Sequence, residues 1–427
     1  MANPVIDHYA ALLDGDTAQP EWLSRQRRQA LSRVQTDGLP TRRQPAWHYS
    51  PVDQWLAQAQ QRHGAGLTAA DPGDRPHHPP LDGTVFHFSH GWLQSSGELP
   101  EGVGWQALSA LDPTADAELI DWLTQRRDDS LAALADALAP DARVLSIHSA
   151  AMVERPLVLH HRATQAGVHA GRLVLHVAAG AHATVVEYFE GADDCDYTAL
   201  ARTVIRVDRD ARLTYVRVNG DGDLGRHLGM LEVDQQQGSE VRLQALAASG
   251  HQVRNGININ LLGEDARFQS GGVLAGSHQQ HIDYHLSVNH LSDRGVSDTR
   301  FQGLAGDEAT GIVNGRLYIG HDTHANDAQL STHNLLLSSQ AEINAKPELE
   351  IHADELSCGH GATVGQLDAE QLHYLRSRGI ARDEAIDLLT SGFLRNGLLE
   401  LGEPLQPWLE SQITRARQRL DSQRIDV

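Results

Sequence analysis

Leu173-Val-Leu-His-Val-Ala-Ala-Gly-Ala-His-Ala-Thr-Val-Val-Glu-Tyr188 and Thr203-Val-Ile-Arg-Val-Asp-Arg-Asp-Ala-Arg-Leu-Thr-Tyr-Val-Arg-Val218 decide the fold by their spacing. Each reads as a short strand with β-branched or alternating apolar positions, a turn pair, and a second such strand. The turn pair recurs as Gly180-Ala181, Asp210-Ala211, Gly238-Ser239 and Asp265-Ala266, at intervals of about 27 to 30 residues, a solenoid-like period. Repeats of that length made of short strands predict a stack in which each coil buries its apolar face only against its neighbours. A β-sandwich with evenly spaced hairpins shares the same periodicity.

Outside this body the period returns to helical. Residues 1–140 form a mixed, mainly helical region. A helix is expected from Pro4 with Ile6, Tyr9, Leu12 and Leu13 on one face, and another after Pro20 with Trp22, Leu23, Leu31 and Val34. Residues 63–83 read as a Gly/Pro-rich loop, Val85–Phe88 as a strand, and 115–138 as one amphipathic helix. The β body covers 141–365. Residues 366–427 are helical again, with Asp368 and Gln371 as a capping box and Gly379 as a stop. Because an open coil exposes unpaired strand edges, the flanking helices are expected to close the stack, and the β body to stand without residues 367–427.

Of 427 residues, 35 are Lys or Arg and 56 are Asp or Glu, a formal charge of −21. So acidic a surface disfavours phosphate backbones and hence nucleic acid. No apolar run is long enough to span a bilayer and no secretory signal is visible at the start, so a cytoplasmic protein without membrane contact is expected. Lys346, the single lysine, precedes Pro347 in a strand-like context. That excludes a Walker A loop, so any ATP-driven work belongs to another chain.

Few motifs carry chemistry. Gly220, Gly222 and Gly225 match a dinucleotide fingerprint, but Leu228–Val233 reads as a strand and Asp221 and Asp223 would repel a pyrophosphate; the segment reads as a hairpin turn. His281, His285, His321, His324, His333, His352 and His360, with Asp283 and Asp322, invite a metal, yet no helical His-Glu-x-x-His or paired Cys-x-x-Cys accompanies them. Cys195, inside Asp193-Asp194-Cys-Asp196, should have a suppressed thiolate. Cys358 and His360 are two apart, so on a strand they share one face and could address one ion. Spacing alone favours incidental neighbours at the last coil.

The stretch Lys346-Pro-Glu-Leu-Glu-Ile-His-Ala-Asp-Glu-Leu-Ser-Cys-Gly-His-Gly-Ala-Thr-Val-Gly-Gln366, continuing into Leu372-His-Tyr-Leu-Arg-Ser-Arg-Gly379, closely resembles the signature of the SufB/SufD family of iron–sulfur cluster assembly proteins. Gly38-Leu-Pro-Thr-Arg-Arg43 and Trp47-His-Tyr-Ser50 resemble the family's N-terminal segment, with Ser for Thr. His281, His290, Ser297, Gly303, Gly311 and Gly315 fit its middle section. Length and two cysteines resemble the shorter, cysteine-poor SufD branch rather than the SufB scaffold.

The resemblance implies a right-handed parallel β-helix between helical terminal regions. It implies a non-enzymatic subunit that works with SufB and the ATPase SufC, with residues 366–427 docking SufC through Ile386, Leu389 and Phe393. It places His360, and Cys358 less directly, at a junction between β-helix ends where a transient iron–sulfur cluster forms. Gly359 stands where the family often has Ser. No cofactor is expected on the chain alone, reduced flavin is associated with the assembled complex, and a homodimer is an option for the isolated chain. The competing classes are a SufB-like scaffold acting alone, which would need more cysteines, and a carbohydrate-active β-helix enzyme, which would need a row of aromatics in the β body.

Overall fold

The computed structural model describes residues 6–8, 19–63, 81–125 and 129–420. The helix expected around Tyr9–Leu13 and most of the 63–83 loop lie outside the described residues.

Two sheets make up the body. Sheet I stacks β3 (Val103–Ala107), β4 (Arg143–Ile147), β6 (Gly167–Val177), β8 (Tyr197–Val207) and β10 (Arg226–Gln235). It continues through β12 (Gln252–Leu261), β14 (His281–His290), β16 (Thr310–Ile319) and β18 (Glu342–Ile351). Sheet II stacks β2 (Trp92–Ser96), β1 (Thr84–Ser89), β5 (Leu157–Ala163), β7 (His182–Gly191) and β9 (Arg212–Gly220). It continues through β11 (Glu240–Ala247), β13 (Arg267–Gly276), β15 (Val296–Ala305), β17 (Asn326–Leu336) and β19 (Leu356–Gln366). From β4 onward the chain alternates between the sheets, and successive coils pair in parallel. This is a parallel β-solenoid. Parallel pairing overturns the hairpin-built sandwich.

The recurring turn pair builds the corners. Gly180, Asp210, Gly238 and Asp265 all adopt left-handed backbone, with φ of 69°, 57°, 68° and 61°. Each donates its amide to the next coil, onto the carbonyls of Arg209, Gln237, Glu264 and Asp293. The second members, Ala181, Ala211, Ser239 and Ala266, are all 0% exposed, because only a small side chain fits the corner. Arg294-Gly295 and Ala325-Asn326 repeat the device further on. Left-handed backbone costs a non-glycine residue about 1–2 kcal/mol, and the inter-coil hydrogen bond offsets part of that.

Inward-facing positions stack in columns. Leu145, Leu175, Ile205, Val233, Ile259, Val288 and Leu317 form one, all buried. The outward faces are covered by helices. On sheet I lie α1 (Glu21–Asp37), α2 (Val52–His63), α3 (Ala117–Thr124) and α4 (Ser130–Leu138). Leu131 and Leu134 pack on Val168, Leu200 and Met230, while Leu119 and Leu123 pack on Val144, Val174 and Val204. The single helix expected over 115–138 is therefore two, serving two different clusters.

On sheet II lie α5 (Ala369–Ser377), α6 (Arg382–Arg395) and α7 (Leu405–Gln418). Asp368 caps α5 by accepting from the Glu370 and Gln371 amides, and Gly379 (φ 89°) ends it, with the Ile380 amide returning to the Leu375 carbonyl. Ile386, Leu394, Leu409 and Ile413 bury Val158, Val186, Val216, Leu246, Val273 and Leu304, one or more from each of several coils. The C-terminal helices thus lie along the stack and do not close it. The sheet II face that they cover is apolar.

The Gly220–Gly225 segment is a solenoid corner and not a hairpin, because β9 and β10 belong to different sheets.

Candidate functional site

Every inward column must end somewhere, and at the last coil it ends in the open. β18 and β19 are the terminal strands of their sheets. Leu317 is followed in register by Leu349, and Ile319 by Ile351. These two apolar side chains are 38% and 42% exposed, whereas the residues beneath them are 0%. In sheet II the column Val185, Tyr215, Leu243, Ser270, Thr299, Leu330 ends in His360. The neighbouring column, Phe268, Ser297, Ala328, ends in Cys358. Register continuity therefore puts Leu349, Ile351, Cys358 and His360 on one open face lined by the solenoid's own interior.

The two polar members differ. Cys358 is half-buried against the core. Burial pushes its thiol pKa up and the nearby Asp327 charge adds to that, so the group is a thiol at neutral pH and a weak ligand until a metal displaces its proton. His360 is exposed on the same strand face. Imidazole is a borderline donor suited to iron. Gly359 points the other way; a Cβ there would meet only the Gln329 amide oxygen, at 2.7 Å, the end of a flexible side chain.

The other sequence candidates do not join this site. Cys195 is buried beside Tyr197, its thiol raised first by burial and then by Asp194 and Asp196. His281 contacts Ser50 Oγ at 3.1 Å and stands edge-on to Trp55. Asp283 accepts from Ser50 and from Arg254, whose guanidinium lies 3.9 Å over Trp47. The Trp47–Ser50 motif is thus a latch that fastens the N-terminal layer to sheet I. His290 bonds Ser297 and Asn326, His333 bonds Thr363, and the rings of His321 and His352 meet at a tilt of 31°. Among the described residues, no three His, Cys, Asp or Glu side chains converge as a metal site.

Of the helical residues, Ile386 is fully buried in the chain's own core, and Leu389 and Phe393 are half-buried against it. The exposed apolar side chains there are Tyr374 (57%) and Leu388 (52%). Sequence reasoning missed Leu349 and Ile351, although counting coils along the register would have found them.

The chain is similar in sequence to known proteins. The family described as "SUF system FeS cluster assembly, SufBD core domain" matches residues 160–393. The iron–sulfur cluster assembly protein SufD of Escherichia coli (strain K12) is 27% identical over 396 residues, 87% of this chain and 87% of that protein. SufD of Bacillus subtilis (strain 168) is 33% identical over 142 residues, covering 33% and 32%. The chloroplastic protein ABCI7 of Arabidopsis thaliana is 25% identical over 324 residues, covering 73% and 67%. The core match runs from β5 into α6, across both the coils and the helices that cover them, and with it this SufD-like chain belongs to the SufB/SufD family of iron–sulfur cluster assembly proteins.

Proposed function

We propose that the chain is a non-enzymatic subunit that pairs end to end with a SufB-type solenoid and offers His360 to a cluster forming at the junction. The observation that carries this is the unclosed last coil. Two strand edges with free backbone groups, two exposed aliphatic side chains and an imidazole share one face. Such an end suits another solenoid end, which can continue both sheets and cover Leu349 and Ile351.

On this reading SufB thiolates receive iron and sulfide as substrate, and His360 supplies a ligand from across the junction, with Cys358 secondary. A neutral imidazole holds iron less tightly than a thiolate does, so the cluster can be released. Cys195 and Cys358 lie on distant coils, so this chain has no thiolate pair with which to hold a cluster alone. The ATPase SufC docks on the C-terminal helices, where Tyr374 and Leu388 are the accessible contacts and Ile386, Leu389 and Phe393 hold α6 in place. A cytoplasmic setting and a homodimer of the isolated chain through the same open end complete the reading. Reduced flavin has no matching site at Gly220–Gly225. A Cβ on Gly222 would meet the Ala192 carbonyl at 2.1 Å, so the corner is filled by backbone, and Asp221 is buried inside it.

The test is anaerobic reconstitution of the complex of this chain with SufB and SufC, followed by visible absorption. His360→Ala should reduce cluster formation sharply, Cys358→Ala mildly, and Cys195→Ala not at all. Normal cluster yield with His360→Ala would overturn the assignment.

A further inference from the structure

Where the N-terminal layer stops over sheet I, a cavity of about 250 Å³ opens between that layer and the sheet. Its floor is a missing side chain. The outward column reads Arg202, Met230, Gly256, His285, Asn314, so only one coil of the five lacks a Cβ. A Cβ on Gly256 would meet nothing nearer than the Gly229 carbonyl at 3.8 Å. Trp47, Leu131 and Met230 form apolar walls, and Asn258, Ser287 and His285 form one polar edge.

The charged groups around the cavity are already engaged, Asp129 by accepting from the Ala132 amide as the cap of α4. Arg202 pairs with Glu232 at 3.0 Å, and Arg254 pairs with Asp283 while stacking on Trp47. His285 is neutral, since burial pushes its pKa down to about 4. Asn258 accepts from Asn289 through Oδ1, which leaves its amide group to donate. The imidazole of His285 and the hydroxyl of Ser287 have no hydrogen-bond partner among the described residues. Apolar walls with a few convergent polar groups are the usual make-up of a small-molecule site. An uncharged ligand leaves both ion pairs and the Asp129 cap in place, with no charge buried unpaired.

We propose that this cavity binds a small, uncharged, flat ring carrying an amide or ring-nitrogen edge. The ring lies over Gly256 between Trp47, Leu131 and Met230, and its polar edge meets Asn258, Ser287 and His285. This site is separate from the open coil and does not depend on the reading given for it.

The probe is 4-fluorobenzamide, titrated at millimolar concentration into the full chain and followed by the width of its 19F resonance. Broadening is expected with the unaltered chain. Gly256→Leu fills the floor and should abolish it with little change in melting temperature. Ser287→Ala with Asn258→Ala should weaken Kd about tenfold, from the loss of two hydrogen bonds of roughly 1 kcal/mol each, partly replaced by water. Fluorobenzene, which has no amide, should broaden far less. No broadening with the unaltered chain, or equal broadening with both variants, would sink the proposal; equal broadening by fluorobenzene would refute the polar edge. If Gly256→Leu does not fold, the Ser287/Asn258 pair decides the matter.

Discussion

His360 stands in register on Leu330, which is 5% exposed, while its own far side meets solvent. The column beneath holds Val185, Tyr215 and Leu243, then the hydroxyls of Ser270 and Thr299, which bond each other at 3.0 Å. An imidazole at its open end adds little to stability and keeps its nitrogens available. The position is thus free to serve a partner without cost to the fold.

Leu349 provides the mechanical counterpart. Leu349→Asp puts a charge on the exposed aliphatic end of a column. Because the side chain is already 38% exposed, the isolated chain should lose no more than about 1 kcal/mol. A junction that buries the charge would suffer several-fold more. Co-purification with SufB should therefore fail while the melting temperature of the free chain holds. Unchanged co-purification would place the contact elsewhere.

Docking of SufC is best tested in the full chain. Truncation after Gln366 would uncover Val186, Val216, Leu246 and Val273 together, and the product should aggregate rather than report on binding. Leu388→Asp leaves those contacts in place, because Leu388 faces solvent. It should abolish SufC co-elution with an unaltered circular dichroism spectrum. Retention of SufC would show that the helices serve only to cover sheet II.

The solenoid interior sets an acid limit. Glu187 and Arg217 form a buried pair at 2.7 Å, joined by Tyr215 and His161. Burial alone would raise the Glu187 pKa, but Arg217, His161 and Tyr215 outweigh it and hold the group at about 2, below its usual 4.5. Such a depressed carboxylate contributes stability above pH 4.5, about 3 kcal/mol from the size of the shift, and loses it as pH falls toward 2. His161, His281, His285 and His290 are all lowered by burial. They bind protons more readily unfolded, so their contribution is present above pH 6.5 and lost below it. Urea midpoints should be level from pH 8 to 7, decline by pH 5.5 and drop steeply below 4.5. A midpoint that rises on acidification would contradict this. Arg217→Met, which strands a buried carboxylate, should cost about 3–5 kcal/mol at neutral pH.

The join between β13 and the loop after α6 depends on two glycines. A Cβ on Gly397 would lie 2.6 Å from the Gly272 carbonyl, and one on Gly271 would lie 2.6 Å from the Gly397 carbonyl. Gln244 bonds the Gly397 carbonyl and the Leu399 amide across the same seam. Gly397→Ala should therefore force backbone apart and lower stability by about 1–3 kcal/mol, read as a shift in the urea midpoint. No shift would mean that the seam is looser than its distances indicate.

The sequence made the coils legible where glycine or aspartate marks the corner, as at Gly180, Asp210, Gly238 and Asp265. It hid them at Arg294 and Ala325, whose left-handed backbone is imposed by the stack and not by the residue. Runs such as Val185-Val186 and Val273-Leu274 already signalled strands buried on both faces, yet nothing local says which helices do the covering. The open end was legible only as a motif around Cys358 and His360. That Leu349 and Ile351 join them follows from pairing across coils, which no window of adjacent residues contains. Glu187 and Arg217 alternate with apolar neighbours like surface residues, so their burial inside the stack was invisible.

At Gly180, Asp210, Gly238, Asp265, Arg294 and Ala325 the left-handed amide donates to the coil that follows, the last onto Glu355. The length of the molecule is therefore quantised. Adding or removing one coil moves the His360 face by about 4.8 Å, the spacing between paired strands, without disturbing the corners that remain. The helical layers on both sheets hold several coils at once, so they act as a gauge that fixes the coil number and with it the reach from the Trp47–Ser50 latch to the open face.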